Sequence, residues 1–256
     1  KQPTSLMDLV DDDYPFVSDP MPNLYFTRDP GACVGEGINI HRMHTPARKR
    51  ESLLLKYMFL YNRDFATQDN KMWYDLSDSY SIEGGDVLVL SKDIVAIGLS
   101  ERTTVSGAET FARNLLQNSD FKKVLAFDIP ETRAFMHLDT VFTMVDYDKF
   151  TIHPGIMGPL TVFEITPDGK GGTKIRERNE DLEKVLSEYV GQAVKLIPCG
   201  GGDRIAAERE QWNDGSNTLC VRPGTVVVYQ RNNVTNDVLY KQGINCLEMP
   251  LSLIHI

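Results

Sequence analysis

The sequence predicts an α/β fold built of repeated ββαβ modules. Short runs of apolar, β-branched residues recur along the chain, longer helical patterns separate them, and the order strand, strand, helix, strand occurs three times. Repeats of this kind indicate modules arranged radially and not one doubly wound sheet. Their period is irregular, since Val87 to Thr140 spans 53 residues and Thr140 to Thr218 spans 78.

The predicted elements follow one another from a strand at residues 38–43. A helix then runs from Pro46 to about Tyr61, because proline suits a first helical turn, where the N–H that it lacks would have no partner. Three full modules follow. The first has strands 87–90 and 94–97, helix 105–116 and strand 124–127, and the second has strands 140–144 and 150–153, helix 179–189 and strand 194–198. The third has strands 218–221 and 225–229, helix 233–241 and strand 244–247. The DGKGG segment at 168–172 predicts a surface loop by its composition.

The composition excludes several classes of protein. The 256 residues carry a formal net charge of −9, with 41% hydrophobic and 25% charged residues. No apolar stretch approaches the ~18 residues that a membrane span needs. An acidic chain without a basic stripe is a poor candidate for binding nucleic acid or anionic membranes. We therefore expect a globular protein of one or two domains with neither kind of partner.

The chain has four scattered cysteines, Cys33, Cys199, Cys220 and Cys246, without the spacing of a zinc cluster. They are too few for a disulfide scaffold, so we interpret them as reduced thiols and expect a cytoplasmic protein. Cys199 opens a CGGGD segment that suggests a nucleophile or a phosphate loop. The segment lacks the Lys-Ser/Thr pair of a P-loop, and a catalytic cysteine would need a nearby base.

Two polar segments lie where predicted strands begin. The EGGD segment at 83–86 has two glycines that permit close backbone approach, and it is either a carboxylate aimed into a pocket or a turn with solvated acids. In the HLDT segment at 137–140, alternation places His137 and Asp139 on one face of a strand. This pair suits either acid–base chemistry with an anchor or two ligands of a divalent metal, although a metal would need a further ligand nearby.

The other histidines and several arginines can be interpreted as ordinary structural residues. We interpret His41 and His44 as surface residues and His153 as a turn residue. Arginines stand beside acids or other polar residues in the segments 23–30, 48–51 and 100–103. Each arginine makes either a surface salt bridge, which contributes little, or a pair of parallel hydrogen bonds to a carboxylate.

Six of these segments carry a recognisable pattern: MPNLYFTRDP at 21–30, RKRE at 48–51, IEGGD at 82–86, SERT at 100–103, MHLDTVFT at 136–143 and REQWNDGSNT at 209–218. In this order and approximate spacing they resemble the arginine deiminase family over nearly the whole chain. The resemblance implies a pentein fold, a five-bladed propeller of ββαβ modules around a central site, incomplete here. That fold agrees with the repeats, which by themselves do not name it.

The resemblance also implies an activity, the hydrolysis of L-arginine to L-citrulline and ammonia without cofactor or metal. In the family a cysteine thiolate attacks the guanidinium carbon, ammonia leaves, and water hydrolyses the resulting S-alkyl thiouronium. L-Arginine is therefore the expected partner, and a homo-oligomer stays open.

Roles for individual residues follow from the same resemblance. Asp29 and Asp139 match the two aspartates that bind the guanidinium group. His137 matches the acid/base that protonates the departing ammonia and then activates water, and Glu83 matches the carboxylate that orients and charges this histidine.

The remaining substrate contacts are also implied by the resemblance. Arg48, Arg102 and Asn23 match groups that hold the α-carboxylate of the substrate, and Phe26 matches an aromatic residue that lines the pocket. The expected site therefore pairs acidic groups with the guanidinium end of arginine and basic groups with its carboxylate end.

One departure from the family is large, because the GPRCM motif that carries the nucleophilic cysteine is absent from the sequence. Cys246 lies within a predicted strand, so it does not receive the role. We expect residues 1–20 to be the tail end of the family's helical insertion and 21–250 to be a catalytic pentein domain lacking its first strands and nucleophile loop. Residues 251–256 read as a non-native, adapter-encoded tail, and we expect these 256 residues to be inactive.

Three alternatives stay open. A different guanidine-modifying enzyme, such as an agmatine deiminase or an amidinotransferase, fits the acidic residues. Agmatine has no α-carboxylate, however, so Arg48 and Arg102 would lose their purpose. A non-catalytic arginine-binding relative fits the missing motif, and a metal hydrolase built on His137 and Asp139 is a more distant alternative.

Overall fold

The computed structural model describes residues 16, 18–65, 71–132, 134–158 and 160–250. Most of the expected helical tail at 1–20 and the whole expected adapter tail at 251–256 lie outside these residues, so the two predictions stay untested. Within the described residues, fourteen strands form four sheets, and five α-helices accompany them.

The second module has the predicted order, and the first has the same order although only its second strand and its helix were predicted. The first comprises β1 (Gly31–Val34), β2 (Gly37–Ile40), α1 (Lys49–Tyr61) and β3 (Lys71–Tyr74). The second comprises β4 (Val87–Val89), β5 (Ile94–Leu99), α2 (Val105–Asn118) and β6 (Lys123–Asp128). In both, the first two strands are antiparallel and the strand after the helix pairs in parallel with the second strand.

The third module is interrupted by a hairpin. β7 (Phe142–Asp146) and β8 (Lys149–Ile152) are followed by β9 (Val162–Pro167) and β10 (Thr173–Arg178). The hairpin extends the sheet of the second module through the antiparallel pairing of β9 with β6. Its tip is the predicted surface loop, where the carboxylate of Asp168 accepts hydrogen bonds from the backbone N–H groups of Lys170 and Gly172.

The third and fourth modules then complete the same pattern. α3 (Leu182–Val190) leads to β11 (Lys195–Pro198), and α4 (Arg204–Gln211) connects to the last module. That module comprises β12 (Leu219–Arg222), β13 (Thr225–Tyr229), α5 (Asn233–Lys241) and β14 (Asn245–Met249). The three predicted ββαβ modules are thus present, the middle one with an unpredicted hairpin inserted, and the module from β1 to β3 adds a fourth. The radial arrangement of the modules stays a prediction.

Helix packing explains why the amphipathic segments were recognisable. α2 buries Phe111, Ala112 and Leu115 against the strands of its own module, and Thr104 caps its start by accepting a hydrogen bond from the backbone N–H of Gly107. A separate core joins the second and third modules, with Phe142 stacked between Phe127 and Phe150. In the part of the chain that the structure describes, no helix is both long and apolar enough to cross a membrane.

The start of each module places polar residues at a common position. Asp29 directly precedes the first module, and Glu83 with a 3-10 turn (Gly84–Asp86) precedes β4. His137 with a 3-10 turn (Leu138–Thr140) precedes β7. The predicted strand alternation of His137 and Asp139 is therefore wrong, because the chain turns here and β7 begins only at Phe142. The equivalent segment before β12 touches this region, because the hydroxyl groups of Thr143 and Thr151 both donate to the Ser216 carbonyl. The ββαβ repeat therefore brings three distant polar segments to one place.

Candidate active site

The loop before β4 locks the two neighbouring loops together. The backbone N–H of Gly84 donates to the Asp29 carbonyl at 3.0 Å, and the backbone N–H of Leu138 donates to the Asp86 carboxylate at 2.8 Å. Glycine is required at position 84, because a Cβ there would lie 2.0 Å from the Arg28 carbonyl oxygen. The predicted close approach of the EGGD backbone is confirmed, and Glu83 and Asp86 are fully buried acids.

A buried hydrogen bond between Glu83 and His137 forms the centre of the site. Glu83 Oε2 lies 2.8 Å from His137 Nε2, and Glu83 Oε1 accepts a hydrogen bond from the backbone N–H of His44 at 3.0 Å. Two guanidinium groups lie near the same carboxylate, with Nη1 of Arg48 at 4.0 Å and Nη1 of Arg102 at 3.8 Å from Oε2. Glu83 therefore has both oxygens engaged and cannot rotate freely.

The Glu83–His137 pair is ionised at neutral pH. Burial alone would lower the pKa of His137, but its bond to Glu83 and the charges of Asp86, Asp139 and Asp29 raise that pKa to about 9. Burial would likewise raise the pKa of Glu83, but the bond to His137 and its positive charge bring it below its usual value. The resting histidine is therefore an imidazolium, a proton donor next to four carboxylates.

Asp29 is held through one of its two oxygens. Nη1 of Arg48 lies 2.7 Å from Asp29 Oδ2, while Asp29 Oδ1 faces His137 Nδ1 at 4.0 Å. The remaining nitrogens of Arg48 bind Glu51, and only 6% of Arg48 is exposed. This geometry arises because a 3-10 turn that begins at Pro46 places Arg48 at the start of α1, three residues before Glu51.

Asp139 is also held through one oxygen. Nε of Arg28 lies 3.1 Å from Asp139 Oδ2, whereas Asp139 Oδ1 is buried without a hydrogen-bond partner among the described residues. Burial raises the pKa of Asp139 to about 6, although the charges of Arg28 and His137 oppose the shift. This carboxylate is therefore ionised at neutral pH and becomes protonated under mildly acidic conditions.

Gly85 packs closely against His137 Nδ1 and Asp139 Oδ1. A Cβ at Gly85 would lie 2.7 Å from His137 Nδ1 and 2.8 Å from Asp139 Oδ1. Asp29 Oδ1 borders the same region through its 4.0 Å separation from His137 Nδ1. Two anionic oxygens and an imidazolium N–H thus surround a place that suits a planar group with several N–H donors.

The residues expected to bind the substrate carboxylate lie around this centre. Arg102 has a side chain that is 17% exposed, and Nη2 lies 3.7 Å from the Met136 sulfur. Phe26 is 47% exposed, with Cζ of Arg48 5.9 Å from the centre of its ring. Asn23 belongs to the same turn, since its carbonyl accepts a hydrogen bond from the backbone N–H of Phe26. The structure therefore brings together seven of the predicted residues: Asp29, Glu83, His137, Asp139, Arg48, Arg102 and Phe26. Asn23 is linked to them through its turn with Phe26.

One histidine was interpreted wrongly from the sequence. His41 is fully buried and not a surface residue, because its Nδ1 lies 2.9 Å from the Asp29 carbonyl oxygen. Burial lowers the pKa of His41 to about 4, so it is neutral and donates from Nδ1. The predictions for His44 and His153 are confirmed, since His44 is exposed and His153 begins a 3-10 turn by accepting from the backbone N–H of Gly155.

Four further residues of the cluster were not assigned roles from the sequence: Arg28, His41, Glu51 and Asp86. Asp86 supports the loop that carries His137, since its oxygens accept hydrogen bonds from the backbone N–H of Leu138 and, at 2.7 Å, from the Ser100 hydroxyl. A signal was present, because all four lie within or directly beside the six matching segments or the first predicted strand. Their function is to hold other side chains, which a motif alone does not reveal.

Three of the site residues also have the arrangement of metal ligands. Ligand atoms of Asp29, Glu83 and His137 lie within 4.8 Å of one another. Each is already paired, Asp29 with Arg48 and Glu83 with His137. A metal ion would have to displace these cations, so the arrangement fits an organic cation better. Asp139, the partner of His137 in the metal alternative, is not a member of this group.

No cysteine sulfur forms a hydrogen bond with this cluster in the part of the chain that the structure describes. Cys199 is buried against the Thr235 hydroxyl at 3.3 Å, and burial raises the pKa of its thiol. Cys220 and Cys246 contact backbone carbonyl groups, and Cys33 is exposed in β1. The nucleophile interpretation of the CGGGD segment is not supported, because the partner of Cys199 is a hydroxyl and not a base.

Comparison with known proteins was made at the levels of family, sequence and fold. A family model described as arginine deiminase matches residues 1–255. The arginine deiminase of Treponema denticola is 54% identical over 254 residues, which cover 98% of this chain and 62% of that protein. The arginine deiminase of Clostridium perfringens is 53% identical over 252 residues, covering 97% of this chain and 61% of that protein. The chain thus spans about three fifths of the length of these curated relatives.

Two solved structures share the fold at low sequence identity. DDAH from Pseudomonas aeruginosa, a cysteine-to-serine mutant in complex with citrulline, has a TM-score of 0.59 and 16% identity, covering 92% of this chain and 72% of that one. The N-terminal domain of ArgZ, a cyanobacterial arginine dihydrolase solved as a cysteine-to-serine mutant bound to substrate, has a TM-score of 0.62 and 16% identity, covering 91% and 71%. These pentein-type neighbours establish a mixed α/β fold.

Proposed function

The chain belongs to the arginine deiminase family, and on this premise we propose that the protein containing it hydrolyses L-arginine to L-citrulline and ammonia. The observation that carries the proposal is the pair of half-engaged carboxylates beside an imidazolium. Asp139 Oδ1 has no hydrogen-bond partner among the described residues, and Asp29 Oδ1 faces His137 Nδ1 at 4.0 Å, while the other oxygen of each aspartate is held by an arginine. A guanidinium group is planar and cationic, so it satisfies both oxygens at once.

In the proposed reaction His137 transfers protons at two stages. A cysteine thiolate attacks the guanidinium carbon, and the imidazolium gives its proton to the nitrogen that leaves as ammonia, which forms an S-alkyl thiouronium. The neutral imidazole then takes a proton from water as the water oxygen attacks the same carbon. The C–S bond then breaks and returns the thiolate, and the remaining proton of the added hydroxyl group passes to solvent as the ureido carbonyl of citrulline forms. Glu83 supports this cycle, because its carboxylate stabilises the charged form of His137.

The thiolate must come from outside the cluster described above. None of the four cysteines of the chain hydrogen-bonds to Asp29, Glu83, His137 or Asp139 among the described residues, and burial raises the pKa of Cys199 and Cys246. We therefore propose that these 256 residues alone form no citrulline. Clear turnover of L-arginine by the isolated chain in a colorimetric citrulline assay would contradict this.

The opposite end of the substrate is assigned to the basic residues. Arg102 is the better placed cation, because its Nε is buried without a hydrogen-bond partner among the described residues. Arg48 is engaged with Asp29 and Glu51, so contact with an α-carboxylate would require it to release one of them. Asn23 and Phe26 complete this side of the pocket in the proposal.

The proposal also covers cofactors, the cellular compartment and the complete fold. The scheme uses no cofactor and no metal, and all four cysteines are unpaired thiols in the structure, which supports a reducing compartment such as the cytoplasm. We also propose that the domain at 21–250 completes a radial propeller together with additional strands. The oligomeric state stays open.

A comparison of arginine with agmatine tests the proposed substrate. We expect the complete protein to release citrulline from L-arginine and to convert agmatine at least ~100-fold less efficiently, because agmatine gives Arg102 no carboxylate to bind. Replacement of Arg102 by Gln should reduce the ratio of the kcat/KM for arginine to that for agmatine. Arg204→Gln, at an exposed position, should leave this ratio unchanged. Preference for agmatine would instead support an agmatine deiminase.

A non-catalytic arginine-binding protein is the second candidate, and the separation of all four thiols from the site favours it. The two functions differ in one observable. A complete protein that binds L-arginine, but releases no citrulline at any pH between 5 and 9, would establish the binding function and contradict the enzymatic one.

A further inference from the structure

Arg28 contacts one of the two guanidinium-binding carboxylates and has no role in the scheme so far. Its Nε lies 3.1 Å from Asp139 Oδ2, and its side chain is 40% exposed while that of Asp139 is only 4% exposed. Arg28 therefore approaches the buried carboxylate from the solvent side and leaves Oδ1 untouched. Arg28 directly precedes Asp29 in the chain. The same segment therefore supplies one carboxylate of the pair and the arginine that binds the other.

The contact between Arg28 and Asp139 has the same geometry as the contact between Arg48 and Asp29. Arg48 binds Oδ2 of Asp29 at 2.7 Å and leaves Oδ1 facing His137, in the same way that Arg28 binds Oδ2 of Asp139 and leaves Oδ1 beside Gly85. Each substrate-facing oxygen thus belongs to a carboxylate whose orientation is fixed by an arginine on its far oxygen. A freely rotating carboxylate would lose this orientation.

We propose that Arg28 is a positioning residue that holds Asp139 ionised and oriented, so that Oδ1 receives the guanidinium group of the substrate. This inference rests on the proposed function. Among the described residues, Arg28 is the cation that faces Asp139 from outside the pocket, and the other charged groups that face this carboxylate are His137, Asp29 and Asp86. Two of these are acids that oppose its ionisation, and His137 gives up its proton during the reaction.

An opposite role for Arg28 would be competition, with its own guanidinium occupying the substrate's place. The geometry argues against competition, because Arg28 uses Nε on the far oxygen and the pocket-facing Oδ1 stays without a partner. The two roles also predict opposite changes. Loss of a competitor tightens arginine binding, whereas loss of a positioning cation weakens it and makes it more sensitive to acid.

The test compares Arg28→Gln and Arg28→Lys with the wild type in the complete protein. For Arg28→Gln we expect kcat/KM for L-arginine at pH 7 to fall about tenfold, mainly through KM, and the midpoint of its acidic decline to rise by about one pH unit. In Arg28→Lys the midpoint of the acidic decline should lie close to the wild-type value, because the positive charge is kept. Arg204→Gln is the control, since Arg204 makes an exposed ion pair with Glu208 and should change neither quantity.

Calorimetric titration of L-arginine between pH 5 and 8 gives the same comparison without turnover, and thermal melts confirm that the variants fold. An unchanged acidic midpoint in folded Arg28→Gln, or a lower KM, would overturn the positioning role while wild-type turnover still upheld the proposed function. A wild type that binds arginine without turnover would overturn only the enzymatic proposal. Absence of both binding and turnover in the wild type would overturn both.

Discussion

His137 is the residue whose charge state controls the site, because it lies between carboxylates that come from three separate loops. Its pKa of about 9 makes it a proton donor before the reaction begins, which suits the departure of ammonia. The same carboxylates would oppose one another if the imidazole were neutral. The ion pairs with Arg28 and Arg48 offset part of that repulsion.

Replacement of His137 by Asn tests this charge state through stability. A histidine whose folded pKa is about 9 and whose unfolded pKa is 6.5 stabilises the fold fully below pH 6.5, and the contribution is lost as the pH rises through 9. We expect the wild type to exceed His137→Asn in free energy of unfolding by on the order of 3 kcal/mol at pH 6, and by much less at pH 10. Urea denaturation at the two pH values measures the difference, and a gap that stays constant would refute the assigned charge.

Gly85 offers a test of the pocket itself. A methyl group at this position would lie 2.7 Å from His137 Nδ1 and 2.8 Å from Asp139 Oδ1, so it would displace the two side chains assigned to the reaction and to guanidinium binding. We expect Gly85→Ala to lower kcat/KM for L-arginine by about 100-fold. Gly158→Ala is the matched control, because no atom lies within 4 Å of its added methyl group. Normal activity in a folded Gly85→Ala protein would place the substrate elsewhere.

The sequence predicted the central acids and the histidine, but not the residues that hold them. Asp29, Glu83, His137 and Asp139 stand in segments that match a family pattern, and the structure gathers all four. Arg28 and His41 were not predicted, because each acts on an atom that is close only in the folded chain. His41 donates to the backbone of a residue twelve positions away, and no side-chain pattern records a backbone contact.

At the scale of secondary structure, the loops before β4 and β7 act as one unit. Asp86 joins them through its contacts with Leu138 and Ser100, and Gly98 leaves the room that this carboxylate needs, since a Cβ there would lie 2.3 Å from Asp86 Oδ1. Burial raises the pKa of Asp86. The position of His137 therefore depends on a residue of the preceding module.

A similar device joins α4 to α5. The fully buried Glu210 of α4 accepts hydrogen bonds from the backbone N–H groups of Val234 and Thr235 and from the Thr235 hydroxyl, so it satisfies donors in the first turn of α5. We expect Glu210→Gln to lower the free energy of unfolding by about 2 kcal/mol, because an amide accepts fewer of these bonds.

The exposed Glu208 on the same helix provides the control for Glu210. Its salt bridge to Arg204 is solvent-exposed, so Glu208→Gln should change stability by less than ~0.5 kcal/mol. Equal effects of the two substitutions on urea unfolding would argue against the capping role of Glu210.

Three of the elements that were not predicted have weak hydrophobic patterns. β1 is only four residues long and begins with glycine, and β10, TKIRER, has an almost wholly polar sequence. α4, RIAAEREQ, buries two alanines and no large apolar side chain. Hydrophobic periodicity is weak in such segments, so their structure depends on neighbouring strands and on caps that only the fold supplies.

At the scale of the whole molecule, repetition creates the site. Each ββαβ module begins with a polar segment, and the cross-module hydrogen bonds from Gly84 to Asp29 and from Leu138 to Asp86 bring three of these segments together. The repeat was predictable because strand and helix periodicities alternate regularly in the second to fourth modules. The contacts between modules were not predictable, since they depend on loops with no periodicity of their own.

The proposed function depends on recognition of a positive guanidinium group by Asp29 and Asp139. The most direct measurement is the calorimetric affinity of the complete protein for L-arginine relative to neutral L-citrulline, in the wild type and in Asp139→Asn at pH 7.5. We predict that the wild type prefers arginine by at least ~10-fold and that Asp139→Asn loses most of this preference, because the amide no longer carries the charge that pairs with guanidinium. An arginine-to-citrulline affinity ratio that is unchanged in folded Asp139→Asn would contradict the claim.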